Sequence, residues 1–116
     1  MLEISTETLE NDVVLLKVSG AIDGSTAPEL RAAIVDTATP HCKMLLDMQG
    51  IHFMSSAGLR VMLLLHRQLQ KGDSHVVLIG MMEPIYDAME ATGFLKYFQT
   101  ASNVESGLEL LCKTSV

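Results

Sequence analysis

Basic residues are scarce in this chain of 116: eight Lys plus Arg stand against fourteen Asp plus Glu, a formal net charge of -6. With a pI near 5.0, the surrounding field repels phosphate backbones and anionic headgroups, so neither nucleic acid nor an anionic membrane is an expected partner. Long hydrophobic runs are missing as well. The longest, such as Val61-Met62-Leu63-Leu64-Leu65, falls far short of the roughly 18 to 20 residues of a spanning helix. The opening Met1-Leu2-Glu3 has neither a basic start nor an apolar signal stretch, and the expected compartment is the cytoplasm.

Cysteine is limited to Cys42 and Cys112, seventy positions apart and outside any CxxC pair or Cys/His cluster. Buried, reduced thiols packing as small hydrophobes are expected. His41, His52, His66 and His75 form no HExxH or HxH pattern, so no metal site is expected. A GxSxG elbow, a GxxxxGK[ST] phosphate loop and a GxGxxG turn are all absent, which removes the usual support for a serine hydrolase or a nucleotide enzyme.

What is present is a composition able to fold. A hydrophobic share of 48% with 19% charged residues, and a mean hydropathy of +0.30, allows enough apolar burial to offset the ordering entropy. The length suits one domain over residues 1–116.

Strands and helices alternate along it. A hairpin is expected from residues 2–6 and the β-rich run 13–18, joined at Glu10-Asn11-Asp12. Residues 23–29 read as a loop entering a helix that runs to about Thr37, with Thr26 and Glu29 at capping-box spacing and Pro28 in the first turn. Beyond Pro40, residues 43–47 suit a buried central strand that Gln49-Gly50 turns outward. A helix over 57–71 stops at Gly72, with Arg67 and Lys71 favourable to its dipole. A strand over 75–79, a helix over 82–92 closed by Gly93, and a last helix capped by Ser102 or Asn103 and ending near Cys112 complete the series. The fold class is α/β: a mixed sheet of four to five strands with about four interleaved helices, mainly on one face. The eight methionines, among them Met44, Met62, Met81, Met82 and Met89, are expected chiefly as core filling.

The informative segment runs from Asp47 to Arg60, where a strand end passes through a loop into a helix. Free amides and the positive end of the dipole gather at such a junction and favour an anion. Ser55 and Ser56 can simply cap the helix, and that reading stands beside the functional one. At about 100° per residue, Arg60, Leu63, Leu64 and Arg67 fall within about 80° of Ser56. Gly58, Leu59, Val61, Met62, Leu65 and Leu69 occupy the opposite arc as a core stripe. Ser56, Arg60, Leu63 and Leu64 therefore make a candidate contact patch. A phosphate on Ser56 would add roughly -1.5 to -2 charges at its centre, held by helix amides and Arg60 while repelling a packed partner. A hydrolytic role for Ser55 or Ser56 rests on His52, four residues before Ser56, with no acidic orienter evident.

Phe53-Met54-Ser55-Ser56-Ala57-Gly58-Leu59 closely resembles the phosphorylation loop of bacterial anti-sigma factor antagonists, the single-domain STAS proteins. Gly20-Ala21-Ile22-Asp23 with Thr26-Ala27-Pro28-Glu29-Leu30 resembles the family's first strand, loop and helix, and Glu90-Ala91-Thr92-Gly93-Phe94 its late helix ending. Order and spacing match over about residues 2–112. The resemblance implies a STAS fold and phosphorylation of Ser56 by a partner kinase. The family's preceding Asp is Ser55 here and its second hydroxyl is Ala57, which leaves Ser55 as the lesser, competing acceptor. Asp23, with Gly24 and Ser25 in its loop, corresponds to an acidic position beside the phosphorylation loop. The implied partner surface is Asp23, Gly24, Ser25, Ser55, Ser56, Ala57, Arg60, Leu63 and Leu64.

The resemblance further implies a partner switch. The unphosphorylated protein binds an anti-sigma factor serine kinase of the histidine-kinase-like ATPase type and frees the sigma factor; phosphorylation reverses this, and a PP2C-type serine phosphatase restores it. ATP and magnesium would belong to the partners, leaving this chain without cofactor or catalytic residues. A free monomer is expected. The alternatives are a STAS interaction module in another complex, a transporter accessory or a sigma-independent kinase and phosphatase pathway, and an enzyme built on Ser55, Ser56 and His52.

Overall fold

A computed structural model describes the backbone of residues 2–114 and the side chains of residues 2–111. Its elements are β1 (Glu3–Thr8), β2 (Val13–Ile22), α1 (Ala27–Thr37), β3 (Lys43–Met54), α2 (Ser56–Lys71), β4 (His75–Ile79), α3 (Glu83–Ala91), β5 (Gln99–Ala101) and α4 (Val104–Thr114). The five strands lie in chain order. β1 is antiparallel to β2, and every later pairing is parallel. The sheet is therefore mixed, as the sequence implies.

Chain-order pairing also sets where the helices go. Crossovers between parallel strands are almost always right-handed, so a sheet that always steps the same way places its crossover helices on the same face. α1, α2 and α3 share one apolar cluster with Leu16, Val18, Met44, Leu46, Met48 and Leu78. α4 follows the last strand and is free of that constraint; its Leu111 packs on the other face with Val13, Leu15, Leu45, Val77 and Ile79. Alternate residues of β2, β3 and β4 thus enter different clusters, which explains why these strands read as nearly continuous apolar runs.

β3 is the main departure from the sequence reading, since it continues through Gln49-Gly50 to Met54 rather than turning out after Asp47. The register against β2 shifts between Lys17 and Ser19 and again between Gly20 and Ala21, so bulges absorb the extra residues. Gly50 fits because the strands nearly touch there: a Cβ would lie 2.8 Å from Ser19 Cβ. Pairing with β1 ends at Ser19 and pairing with β4 ends at Asp47. The last residues of β2 and β3 therefore project beyond the rest of the sheet as a two-stranded ribbon.

Smaller corrections have local causes. No capping box forms at α1, because Thr26 has helical dihedrals and turns its hydroxyl back toward Ala21 O and Asp23 N. Glu29 instead accepts a long bond from Leu2 N, 3.4 Å. α2 ends before Gly72 as expected, but the residue with positive φ is Asp73, and Gly72 itself has φ of -89°. Asn103, not Ser102, caps α4, accepting from Ser106 N at 2.9 Å. β5 lies where no strand was located from sequence. Cys42 is a free, half-buried thiol rather than a buried one; the Cys112 side chain lies outside the described residues. Met44, Met62 and Met89 are core, whereas Met82 is exposed.

Candidate functional site

The projecting ribbon carries two loops. Ile22 and Met54 are partners at its tip, and Ser55 N–H donates to Ile22 O at 2.8 Å. Asp23 and Ser55 are each the next residue, so parallel pairing brings the Asp23 loop and the start of α2 to one edge. At this carboxyl end of a parallel sheet, loops are the usual carriers of function.

The first loop is held by Asp23. Its Oδ1 accepts from Ser25 Oγ at 2.7 Å, from Ser25 N at 2.9 Å and from Thr26 N at 3.2 Å. Thr26 Oγ1 donates to Ala21 O at 2.7 Å and accepts from Asp23 N at 2.9 Å, and Asp23 O takes the first amide of α1 from Ala27 at 2.8 Å. The Ser25 hydroxyl above all, then the Ser25 and Thr26 amides, hold the Asp23 carboxyl below its ordinary value. Gly24 and Ser25 are exposed at the turn.

The second loop is built in the opposite way. Ser55 stands at the N-cap position with extended dihedrals, yet its side chain makes no capping bond. Its Oγ is enclosed and has no hydrogen-bond partner among the described residues. The paired-cap reading of Ser55 and Ser56 therefore fails at the side-chain level. Ser56 is the first residue of α2 and is exposed; Ala57 is half-buried. The early amides of α2 have no side-chain acceptor among the described residues, beside the positive end of a 16-residue helix.

Gly58 sets how closely this turn sits on the ribbon. A Cβ there would lie 2.6 Å from Met54 Cγ and 2.7 Å from Ile22 Cγ2, so only glycine lets α2 start directly over the tip. Gly58, Leu59, Val61, Met62, Leu65 and Leu69 are buried, the same six residues that helical periodicity placed inward. Arg60 and Arg67 are exposed, and Leu63 and Leu64 are half-buried. With Arg31 of α1 and Val61 they line a groove of about 370 Å³ between the two helices.

Arg31 is the residue that sequence reasoning missed. Its only signal was that the chain's three arginines all lie on segments read as helices one and two, and helix adjacency is not visible in one dimension. Phe53, beside the loop, is half exposed. His52 is exposed on β3, and neither serine hydroxyl bonds a histidine among the described residues. No helix of the described residues is long and apolar enough to cross a membrane.

Comparison with known proteins places the fold in a family. A family model described as the STAS domain matches residues 3–107. The anti-sigma-B factor antagonist of Listeria monocytogenes is 30% identical over 95 residues, spanning 79% of this chain and 83% of that protein. A crystal structure of an anti-sigma factor antagonist from Mycobacterium paratuberculosis superposes with a TM-score of 0.79 at 23% identity, covering 96% of this chain and 94% of that one. The phosphorylated form of the Bacillus cell fate determinant SpoIIAA superposes with a TM-score of 0.67 at 17% identity, covering 90% and 96%. The likeness to both solved structures is one of fold.

Proposed function

The chain belongs to the STAS domain family, and on that premise we propose that it is an anti-sigma factor antagonist that works by partner switching through Ser56. In its unphosphorylated form it binds an anti-sigma factor serine kinase of the histidine-kinase-like ATPase type, which releases the sigma factor. A phosphate on Ser56 ends that binding, and a PP2C-type serine phosphatase restores it. ATP and magnesium are used by the partners, so this chain is substrate and antagonist, acting in the cytoplasm without catalytic residues of its own.

The observation that carries this reading is the contrast between adjacent hydroxyls. Ser56 is exposed on the first turn of α2, while Ser55 Oγ is enclosed. A kinase meets the former and is shielded from the latter. The uncapped amides and Arg60, one turn on, supply local partners for a phosphate, so the fold bears the added charge. A protein packed over Ser56 does not, because it must desolvate a dianion. Asp23, Gly24 and Ser25 complete the proposed contact surface from the neighbouring loop, with Ala57, Leu63 and Leu64 along the helix.

The test is intact mass and peptide mapping after incubation with the candidate kinase from the same cell and MgATP. One added phosphate on Ser56 is expected, absent from Ser56→Ala and retained in Ser55→Ala. An active kinase that leaves the folded protein unmodified would overturn the proposal.

A further inference from the structure

Three arginines occur in the chain, and all three line one groove. Arg31, Arg60 and Arg67 are exposed, no carboxylate lines the groove with them, and none makes an ion pair with a described carboxylate. Three cations thus share one groove without a carboxylate in its lining, in a molecule of net charge -6 with fourteen acidic residues. Unpaired guanidinium groups, each with a planar donor fork, are suited to carboxylates. The groove floor is apolar, made by Val61, Leu63 and Leu64.

Resting on the reading of this protein as a partner-switching antagonist, we infer that the groove between α1 and α2 seats an acidic amphipathic segment of the protein partner. Carboxylates of that segment meet the three arginines while its apolar residues cover Leu63 and Leu64, the pattern of an amphipathic helix in a groove. A nucleic acid would leave the leucines unused and meet the repulsive field of the whole molecule. A second copy offers a poor fit. Its acidic and apolar counterpart, where Glu10, Glu105 and Glu109 lie with Lys43 beside Leu108 and Leu111, is itself a concavity of about 570 Å³, and two concavities do not fill one another. Ser56 precedes Arg60 by one turn of the same helix, a spacing at which side chains meet. A phosphate on Ser56 therefore competes with the partner's carboxylates for one guanidinium, linking the groove to the switch.

Two probes test this on the full chain. The first is a synthetic peptide of Glu and Leu at helical spacing, with a Lys and Leu peptide as control. The acidic peptide is expected to shift the amide resonances of Arg31, Arg60, Leu63, Leu64 and Arg67, and the Arg31→Glu/Arg67→Glu variant to lose those shifts with its unfolding temperature unchanged. The second probe is the candidate kinase, for which that double variant is expected to bind about tenfold more weakly or worse. No shift in the groove with the acidic peptide, or unchanged kinase affinity in the double variant, would overturn the inference even if Ser56 is phosphorylated. A kinase that neither binds nor modifies the wild type defeats the switch, and the peptide result then decides the groove alone. A dimer of the free protein that the double variant dissociates in sedimentation velocity would make the groove a self-interface and also overturn the inference.

Discussion

The two loops at the ribbon tip differ in how their polar groups are used. In the Asp23 loop, the carboxylate, the Ser25 and Thr26 hydroxyls and the neighbouring amides are bonded to one another. In the Ser55–Ser56 loop, the cap hydroxyl is unbonded and the helix start has no side-chain acceptor among the described residues. One loop is internally satisfied and fixes the shape of the surface. The other leaves the early amides of α2 without a side-chain acceptor among the described residues, where the proposed phosphate on Ser56 would find them. A modification site needs that second condition, and a rigid neighbour lets the change be read as charge rather than as refolding.

The largest effect that would break this comparison is at Ser56. Ser56→Asp places a fixed negative charge in the centre of the proposed contact, and affinity for the kinase is expected to fall on the order of a hundredfold with thermal stability nearly unchanged; titration calorimetry with paired unfolding scans measures both. Next comes the satisfied loop. Thr26 is buried, and Thr26→Val keeps its shape while removing the hydroxyl that donates to Ala21 O and accepts from Asp23 N–H, so chemical denaturation is expected to reveal a loss of about 1–3 kcal/mol.

Asp23 gives a smaller, pH-dependent effect. Its carboxyl titrates below the ordinary 3.8 in the folded protein, so its contribution is present above that pH and lost as pH falls through the depressed value. Asp23→Asn is expected to lower stability modestly near neutrality and to flatten the acid limb in unfolding scans below about pH 4, where the variant and the wild type converge. The smallest effect is at Ser55. Loss of a serine N-cap commonly costs about 0.5–2 kcal/mol, but this hydroxyl makes no cap bond. Ser55→Ala is expected to change stability by less than about 0.5 kcal/mol, or to raise it slightly by removing an enclosed, unbonded oxygen; a cost at the usual level would show that the cap is made in solution.

How much of this was legible in the sequence depends on whether the signal was periodic or tertiary. The buried stripe of α2 was readable because Leu59, Met62, Leu65 and Leu69 repeat at helical spacing and nothing else in the fold contradicts it. That same spacing placed Ser56 outward. Gln49-Gly50 misled because glycine beside a polar residue marks a bulge as readily as a turn. The deciding fact, the approach of Ser19, lies on another strand. Thr26 and Glu29 misled for a related reason: their spacing suits a capping box, but Ala21 O competes for the Thr26 hydroxyl. β5 spans only Gln99–Ala101 and is largely exposed, too short and polar to stand out. The enclosure of Ser55 Oγ and the joining of Arg31 to Arg60 and Arg67 depend on packing between elements, which no single segment records.

The proposed switch is tested most directly by titrating the candidate kinase with the unphosphorylated protein and with protein phosphorylated at Ser56, while comparing the unfolding temperatures of the two forms. Binding by the first, loss of binding by the second and nearly equal unfolding temperatures are the expected result. Equal affinity of the two forms would contradict the switch, and so would a lost affinity accompanied by a collapse in stability, since the phosphate would then act by unfolding the domain rather than by changing its surface.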